Sequence, residues 1–577
     1  MGSMRKNILS LGAASVCLGG AAVLAQPAPP QINPIDRMVP QQAPRLSPSL
    51  APPPETATTG PNAGAMLRVG AVQLRGNTAL DAEALAPAIA GLANATVPLS
   101  RIEEARLAVL RAYRAADYAF AAVNAGVTAG PNGAELTFAI TEGFIAEVKL
   151  EGDIGPAGTQ VLRVLNRLVG QRPISGATLE RALLLASDIP GLTVRGTLRP
   201  MTSEAGALQL VAQVERQAIS GYANIDNRGY RYVGPWQGLA MVGGNSFTEF
   251  GDRSEITLFG TPTGAQWFVQ GSEEIFLGGS GLKLKVYAGT GVTRPFGKVG
   301  ANGYQGTVQL GGVALSYPVI RSRSFNLTAV AQFDLFDSTV TTGFGDARTR
   351  TSVDQIRVLR GGMDMNMLDG WVPFLPAATT IANFRVHDGL PALGASVTGS
   401  ALSSRAGSTY SFTKLTAEVQ RTQPLFSPFE GAMLSIQGLA AGQWTQDVLP
   451  TAEKYYLGGA RIGRGFYNGQ ISGDRAWGLA MELQLDTIIE LPTEPQIGNG
   501  RLATQFFAFR DIGRTSENLR TDPNRHLSSY GGGVRVVVSD TVQVDAEIAQ
   551  RITRRPDGAA ADALRETAAI FRTLVRY

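Results

Sequence analysis

Residues 325–335 read FNLTAVAQFDL, with Phe325, Leu327, Ala329, Ala331, Phe333 and Leu335 on one face of an extended chain and Asn326, Thr328, Gln332 and Asp334, with Val330, on the other. A period of two marks a strand whose faces meet different surroundings. From about Gly221 to Tyr577 the pattern recurs. Leu282, Leu284, Val286 and Ala288 interleave with Lys283, Lys285 and Tyr287, and Val542, Val544, Ala546 and Ile548 with Gln543, Asp545 and Glu547. A large soluble β-sandwich or propeller would alternate as well, but three observations point instead to a barrel in a membrane.

The first is an export signal expected at 1–25. Arg5 and Lys6 precede an apolar run from Ile8 to Leu24, and Val23-Leu24-Ala25 offers small-residue cleavage before Gln26. Cys17, the only cysteine, lies inside it, so the mature chain needs no disulfide chemistry. Second, beyond the signal no apolar stretch approaches the ~18 to 20 residues of a spanning helix, and an exported protein that spans with strands must close them into a barrel, which pairs every backbone group in lipid. Third, the chain ends with Phe571, Thr573, Val575 and Tyr577 on one face and Arg572, Leu574 and Arg576 on the other, which suits an interfacial aromatic girdle.

Some 355 residues at roughly 22 per strand and connection give about 16 strands. The last strands are expected near 431–444, 475–488, 501–511, 528–538, 541–550 and 563–577. External loops then fall at 445–474, 512–527 and 551–562, and periplasmic turns at 489–500 and Ser539-Asp540. Only 17% of residues are charged and 68 are glycine, a balance nearer a barrel than a cytosolic enzyme, and a formal charge of +4 indicates no nucleic-acid surface.

Ahead of the barrel at 218–577 the chain divides in three. Residues 26–66 form a Pro-rich linker: Gln26 to Gly64 holds eleven prolines, and those from Pro27 to Pro44 leave room for a turn or two of plug helix at most. Residues 67–143 and 144–217 each read as β-α-α-β-β, the first with Asp81 as a helix cap and Ile102, Ala105, Val109 and Ala112 on one helix face. The fold class is therefore α+β followed by all-β.

Between Leu457 and Arg475 the chain reads LGGARIGRGFYNGQISGDR, a cationic, glycine-rich loop suited to folding inward against charge. Val72-Gln73-Leu74-Arg75-Gly76-Asn77-Thr78, the junction Glu142-Gly143-Phe144-Ile145, and Leu179 to Leu185 followed by Asp188-Ile189-Pro190-Gly191-Leu192 resemble polypeptide-transport-associated (POTRA) domains. Ile462-Gly463-Arg464-Gly465-Phe466, closed by Gly473-Asp474-Arg475, resembles the inward loop of two-partner secretion transporters of the haemolysin-secretion type. The resemblance spans 67–577. It implies an outer-membrane pore of a Gram-negative bacterium, with periplasmic POTRA domains, that secretes and activates a large exoprotein such as a haemolysin or adhesin.

By the same resemblance, Arg464 is held against Asp511 of Phe509-Arg510-Asp511-Ile512-Gly513, Gly465 lets the backbone bend, and Phe466 wedges against the wall. The family loop usually has a branched residue directly before the arginine, where this chain has Gly463. Partners are the exoprotein, outer-membrane lipid and the barrel-assembly machinery during biogenesis, and a monomer is expected. Docking of unfolded substrate is expected on free sheet edges and in grooves beside strands 119–128, with Tyr118 and Phe120, and 192–199, although such aromatics are more often core. A barrel-assembly factor and a passive porin are the alternatives.

No catalytic residue, metal site or cofactor is expected. The two histidines, His387 and His526, read as solvated or rim residues, and Ser528 and Ser529 lack a nucleophile turn.

Overall fold

A computed structural model describes residues 64–490, 501–559 and 561–577. The expected signal, any plug segment before residue 64 and most of the turn at 489–500 lie outside the described residues.

The first unit runs β1 (Met66–Arg75), α1 (Ala82–Ile89), β2 (Ala95–Pro98), α2 (Leu99–Ala115), β3 (Ala122–Gly130) and β4 (Gly133–Thr141). Asp81 caps α1 by accepting from the Ala84 N–H at 2.8 Å, satisfying one of the donors a helix start leaves unpaired. Ile102, Ala105, Val109 and Tyr113 of α2 pack on Val69, Leu136 and Phe138 of the sheet. The short β2, which the sequence reading lacks, pairs antiparallel with β1 and makes the order β2-β1-β4-β3. Four residues ending in proline are too few to show alternation.

The second unit keeps the expected plan: β5 (Phe144–Gly152), α3 (Gly158–Leu165), α4 (Gly176–Ser187), β6 (Leu192–Pro200) and β7 (Ala207–Arg216), in sheet order β5-β7-β6. Ser175 caps α4 through the Thr178 N–H at 3.1 Å. Glu142, at the end of the first unit, ties its turn and α2 together, accepting from the N–H groups of Thr78 and Ala79 and from Tyr113 Oη, each at 2.8 Å. Partial burial opposes its charge, but the hydrogen bonds prevail and hold the carboxyl below its ordinary range.

Sixteen antiparallel strands close the barrel. They are β8 (Ile219–Asp226), β9 (Gln237–Asn245), β10 (Arg253–Gly260), β11 (Gln266–Phe276), β12 (Lys283–Thr293), β13 (Gln305–Arg321), β14 (Phe325–Thr342), β15 (Thr349–Asp369), β16 (Ala378–Gly389), β17 (Thr413–Phe426) and β18 (Met433–Thr445). After two short strands inside the lumen, β19 (Tyr455–Leu457) and β20 (Ile471–Gly473), the wall resumes with β21 (Arg475–Glu490), β22 (Arg501–Ser516), β23 (Arg525–Val537), β24 (Val542–Arg551) and β25 (Thr567–Arg576). β25 closes on β8, from Arg572 opposite Asp226 to Arg576 opposite Tyr222.

Ile256, Val286, Met363, Phe384, Met481 and Ile548 stand exposed on the outer wall, an apolar belt that lipid covers. Trp267, Trp444 and Trp477 mark one rim and Trp371, Phe374 and Tyr577 the other, as interfacial girdles do. Among the described residues no helix is long and apolar enough to cross a membrane, which says nothing of strands.

The loop expected at 512–527 shrinks to 517–524, because β22 and β23 stay paired as far as Thr515 opposite Arg525. Gly513 and Arg514 interrupt the apolar alternation there, so the outer end of β22 does not read as strand. The final strand starts at Thr567 rather than 563, and Leu564 packs against the lumen loop instead.

The second unit docks on three successive turns at one barrel end. Ser246 Oγ donates to the Pro190 carbonyl at 2.6 Å, Gln160 Nε2 to that of Gly278 at 2.7 Å, and Arg321 grips both Asp188 carboxylate oxygens at 2.8 Å. These turns connect strands within β9–β14.

Replacing Arg321 with Ala removes a bidentate pair whose arginine is buried. We expect faster amide exchange in residues 176–187 of the detergent-solubilised protein by roughly tenfold or more, with the barrel still heat-modifiable on gels.

Because the folded Glu142 carboxyl titrates below its ordinary value of 4.5, its contribution is complete above that pH and fades as the pH falls through the folded value. Glu142→Gln is therefore expected to destabilise the first unit by about 1 kcal/mol at neutral pH, allowing for solvent screening. Amide exchange of residues 66–141 should show the difference vanish in acid.

Candidate functional site: a loop tied inside the lumen

β18 and β21 are hydrogen-bonded neighbours, from Met433 opposite Asp486 to Gln443 opposite Ala476, yet 29 residues separate their ends. This connection, 446–474, turns back into the barrel. Its arms pair as β19 and β20, Tyr455 opposite Gly473 and Leu457 opposite Ile471. The sequence reading places a loop here but not this hairpin, whose strands are three residues each. Leu457, Ile462, Phe466 and Ile471 pack on one another and on Ala480 and Leu527 of the wall, giving the loop a small apolar core.

The bend is made by Gly463 and not by Gly465. Gly463 has φ +86°, a conformation that L side chains rarely adopt, and a Cβ there would lie 2.8 Å from Leu527. A branched residue does not fit this position. Gly465 instead permits close approach, since a Cβ would stand 3.0 Å from that of Ser529 and 3.4 Å from that of Ala549.

The bend delivers Arg464 onto Asp511, whose side chain is fully buried on the inner face of β22. Arg464 Nε and Nη2 donate to the two carboxylate oxygens at 3.0 and 2.8 Å, and the N–H groups of Gly463 and Arg464 add two bonds at 3.0 and 2.8 Å. The fork also reaches Glu482 of β21, and the guanidinium lies 3.8 Å from the centre of the Phe509 ring. Glu482 in turn accepts from Arg535 of β23 at 2.6 and 3.0 Å and from Gln484 at 2.8 Å.

Two further arginines hold the tip by its backbone. Arg228, in the turn after β8, donates to the Arg464 carbonyl at 2.8 Å while paired with Glu547, and Arg551 of β24 donates to the Gly465 carbonyl. Sequence reasoning missed Glu482, Arg535, Arg228 and Arg551. Alternation places Glu482 and Arg535 among many inward positions, and nothing local selects them.

Phe466 is buried in the loop's own core, against Leu457 and Leu564 as well as the wall. Below the tip lies a cavity of about 830 Å³ that extends to the docked end. Gln420, Thr422, Gln437, Gln484, Gln505 and Gln543 line it, with Arg464 in its roof.

Tyr118 and Phe120 lie in the turn before β3, which begins at Ala122. Tyr118 is half-buried, edge-on to Tyr113 at 6.2 Å, and Phe120 is half-buried against the second unit's core. Tyr118 thus packs on the first unit's core and Phe120 bridges to the second unit.

His387 corrects the sequence reading. It is buried on the inner face of β16, with Nδ1 2.7 Å from Arg360 and Nε2 2.9 Å from Thr416 Oγ1. Its neighbours Asp388 and Gly389 suggest a rim, but pairing with β15 and β17 continues past it. His526 is exposed on the outer face while Ser529 is buried on the inner one, so they form no dyad.

Residues 292–536, from the end of β12 into β23 and including the lumen loop and Asp511, match the family model of haemolysin secretion/activation proteins ShlB/FhaC/HecB. CdiB from Escherichia coli superposes with a TM-score of 0.70 at 16% identity, and CdiB from Acinetobacter baumannii with 0.63 at 14%. Each comparison covers 92% of this chain and 94% of the other, and at these identities shows likeness of fold. No curated protein sequence matches.

Breaking a buried ion pair by removing one partner costs about 3–5 kcal/mol, because the other charge is left without its counter-ion. Arg464→Ala is expected to leave a heat-modifiable barrel in the membrane but to raise its conductance in planar bilayers. Arg464→Lys is expected to do the same more weakly, since an ammonium keeps the charge without the planar fork.

Proposed function

We propose that this outer-membrane transporter of the two-partner secretion family threads one large exoprotein, unfolded, from the periplasm to the cell surface. The observation that carries this reading is the loop itself. It is tied into the lumen by a buried charge pair and roofs a polar cavity that leads to the end where the second unit docks. A passive porin has no use for two tandem binding units at one mouth. The two POTRA domains face the periplasm and receive the substrate.

Two free sheet edges suit an extended segment. β3 ends the first sheet and is exposed along most of its length, and β6 ends the second. The opposite edge of the second sheet is bridged at Ile145 to Val169. Unpaired backbone groups on β3 and β6 accept an added strand, and the exposed faces of Tyr118 and Phe120 flank the path between them.

A segment leaving β6 passes to the cavity that lies against β17–β25. The glutamines and threonines there offer hydrogen bonds to a passing backbone, among charged side chains of both signs such as Asp226, Asp486, Arg461 and Arg572. Export requires the loop to leave its ties, so Arg464 and Asp511 act as a latch and Phe466 as the apolar part of the plug. Folding of the passenger outside supplies direction. The protein acts as a monomer that the barrel-assembly machinery inserts into outer-membrane lipid.

Deleting the gene is expected to remove one large protein from the culture medium, and the wild-type gene to restore it. Unchanged secreted protein alongside a general loss of outer-membrane barrels would instead indicate an assembly factor. Loss of solute uptake alone would indicate a porin.

A further inference from the structure

A second tie holds the same loop, opposite in sign to the first and on another stretch of wall. Here the loop supplies the carboxylate. Glu453, in the arm that enters the lumen, is buried. It accepts from Arg360 of β15 at 2.9 Å and from Lys414 of β17 at 2.7 Å. Lys414 also donates to the Glu453 carbonyl at 2.7 Å, and Gln443 of β18 does so at 3.2 Å.

The wall around Glu453 is prepared for it. Arg360 is shared with Asp334 of β14, and its remaining nitrogen faces His387. A guanidinium only donates, so His387 Nδ1 accepts from Arg360 and Nε2–H donates to Thr416. The imidazole is thus fixed as a neutral acceptor that aims Arg360. With the loop seated, Arg360 and Lys414 are balanced by Asp334 and Glu453. With it gone, Asp334 alone faces two cations in a confined space, and one positive charge is left over.

The two ties act at different heights. Asp511 lies within β22, while Lys414 is the second residue of β17 and His387 stands near the far end of β16. A chain rising from the cavity reaches Arg464, which helps line it, before Glu453, which does not.

We propose that Glu453 is a second latch, a positioning residue that keeps the loop tethered in the barrel after Arg464 has let go, with Arg360 and Lys414 as its receptor. Opening is then a two-stage event in which the tip swings first. This inference rests on the reading of the protein as a gated secretion pore and adds a step to it.

The test is conductance of purified full-length protein in planar bilayers beside export in cells, with heat-modifiability confirming an assembled barrel. Glu453→Gln is expected to raise the open fraction roughly tenfold, the change that losing one charge-assisted contact makes in a two-state equilibrium. The Arg464→Ala, Glu453→Gln double variant should open further than either alone. Exchanging the charges, Glu453→Lys with Lys414→Glu, should return conductance toward the wild-type level that Glu453→Lys alone does not reach. A role confined to packing would not give that rescue.

If Glu453→Gln does not assemble, Lys414→Gln applies the same test from the wall. A channel that opens with Arg464→Ala but not with Glu453→Gln or Lys414→Gln overturns the second latch alone. A channel that none of these variants opens, with export intact, overturns the gated-loop reading itself.

Discussion

Asp511 has no exposed side-chain surface and accepts four hydrogen bonds, two from the Arg464 guanidinium and two from the loop backbone. A carboxylate taken out of water is tolerable only when so satisfied. That condition makes the loop's position discrete. A partly withdrawn Arg464 would leave both charges desolvated and unpaired, so the loop is either seated or released. Gating by such an element needs no moving wall, only a lumen that becomes wet enough to solvate the separated charges.

The barrel supplies the wall against which this contact can form. Its outer face is apolar and its inner face polar, which keeps charged side chains in a space narrow enough for opposed strands and loop to meet. Glu482, Arg535, Arg228 and Glu547 extend the contact into a network running from β21 to the turn after β8, across the β8–β25 closure. Docking is asymmetric in the same useful way. The second unit grips the turns below β9–β14, while the cavity and the loop tip lie against β17–β25. The docked unit and the cavity thus lie against different stretches of the wall.

Much of this was legible beforehand. Alternation in runs such as Phe325–Leu335 marked the barrel strands, helix caps marked Asp81, and the charge and glycine content of 457–475 marked an inward loop. Arg464 and Asp511 were matched through a family resemblance, and their contact is close and buried. Other assignments needed the coordinates. Gly463 and Gly465 look interchangeable in sequence, yet one turns the chain and the other admits a neighbour. His387 looks like a rim residue because Asp388 and Gly389 follow it, whereas pairing on both sides carries it into the lumen.

The sequence by itself determined that the C-terminal part is built of two-faced strands, roughly how many, and that two small mixed units precede them. These properties are local: side-chain alternation, caps and turns depend on residues a few positions apart. Only the tertiary structure decided which inward residues meet. Arg464 finds Asp511 and Glu482, and Glu453 finds Arg360 and Lys414, because strand register and closure set the height and neighbours of every lumen position. A one-residue slip in register would carry Asp511, Glu482, Arg360 or Lys414 to the lipid face, and no short stretch of chain encodes that alignment alone.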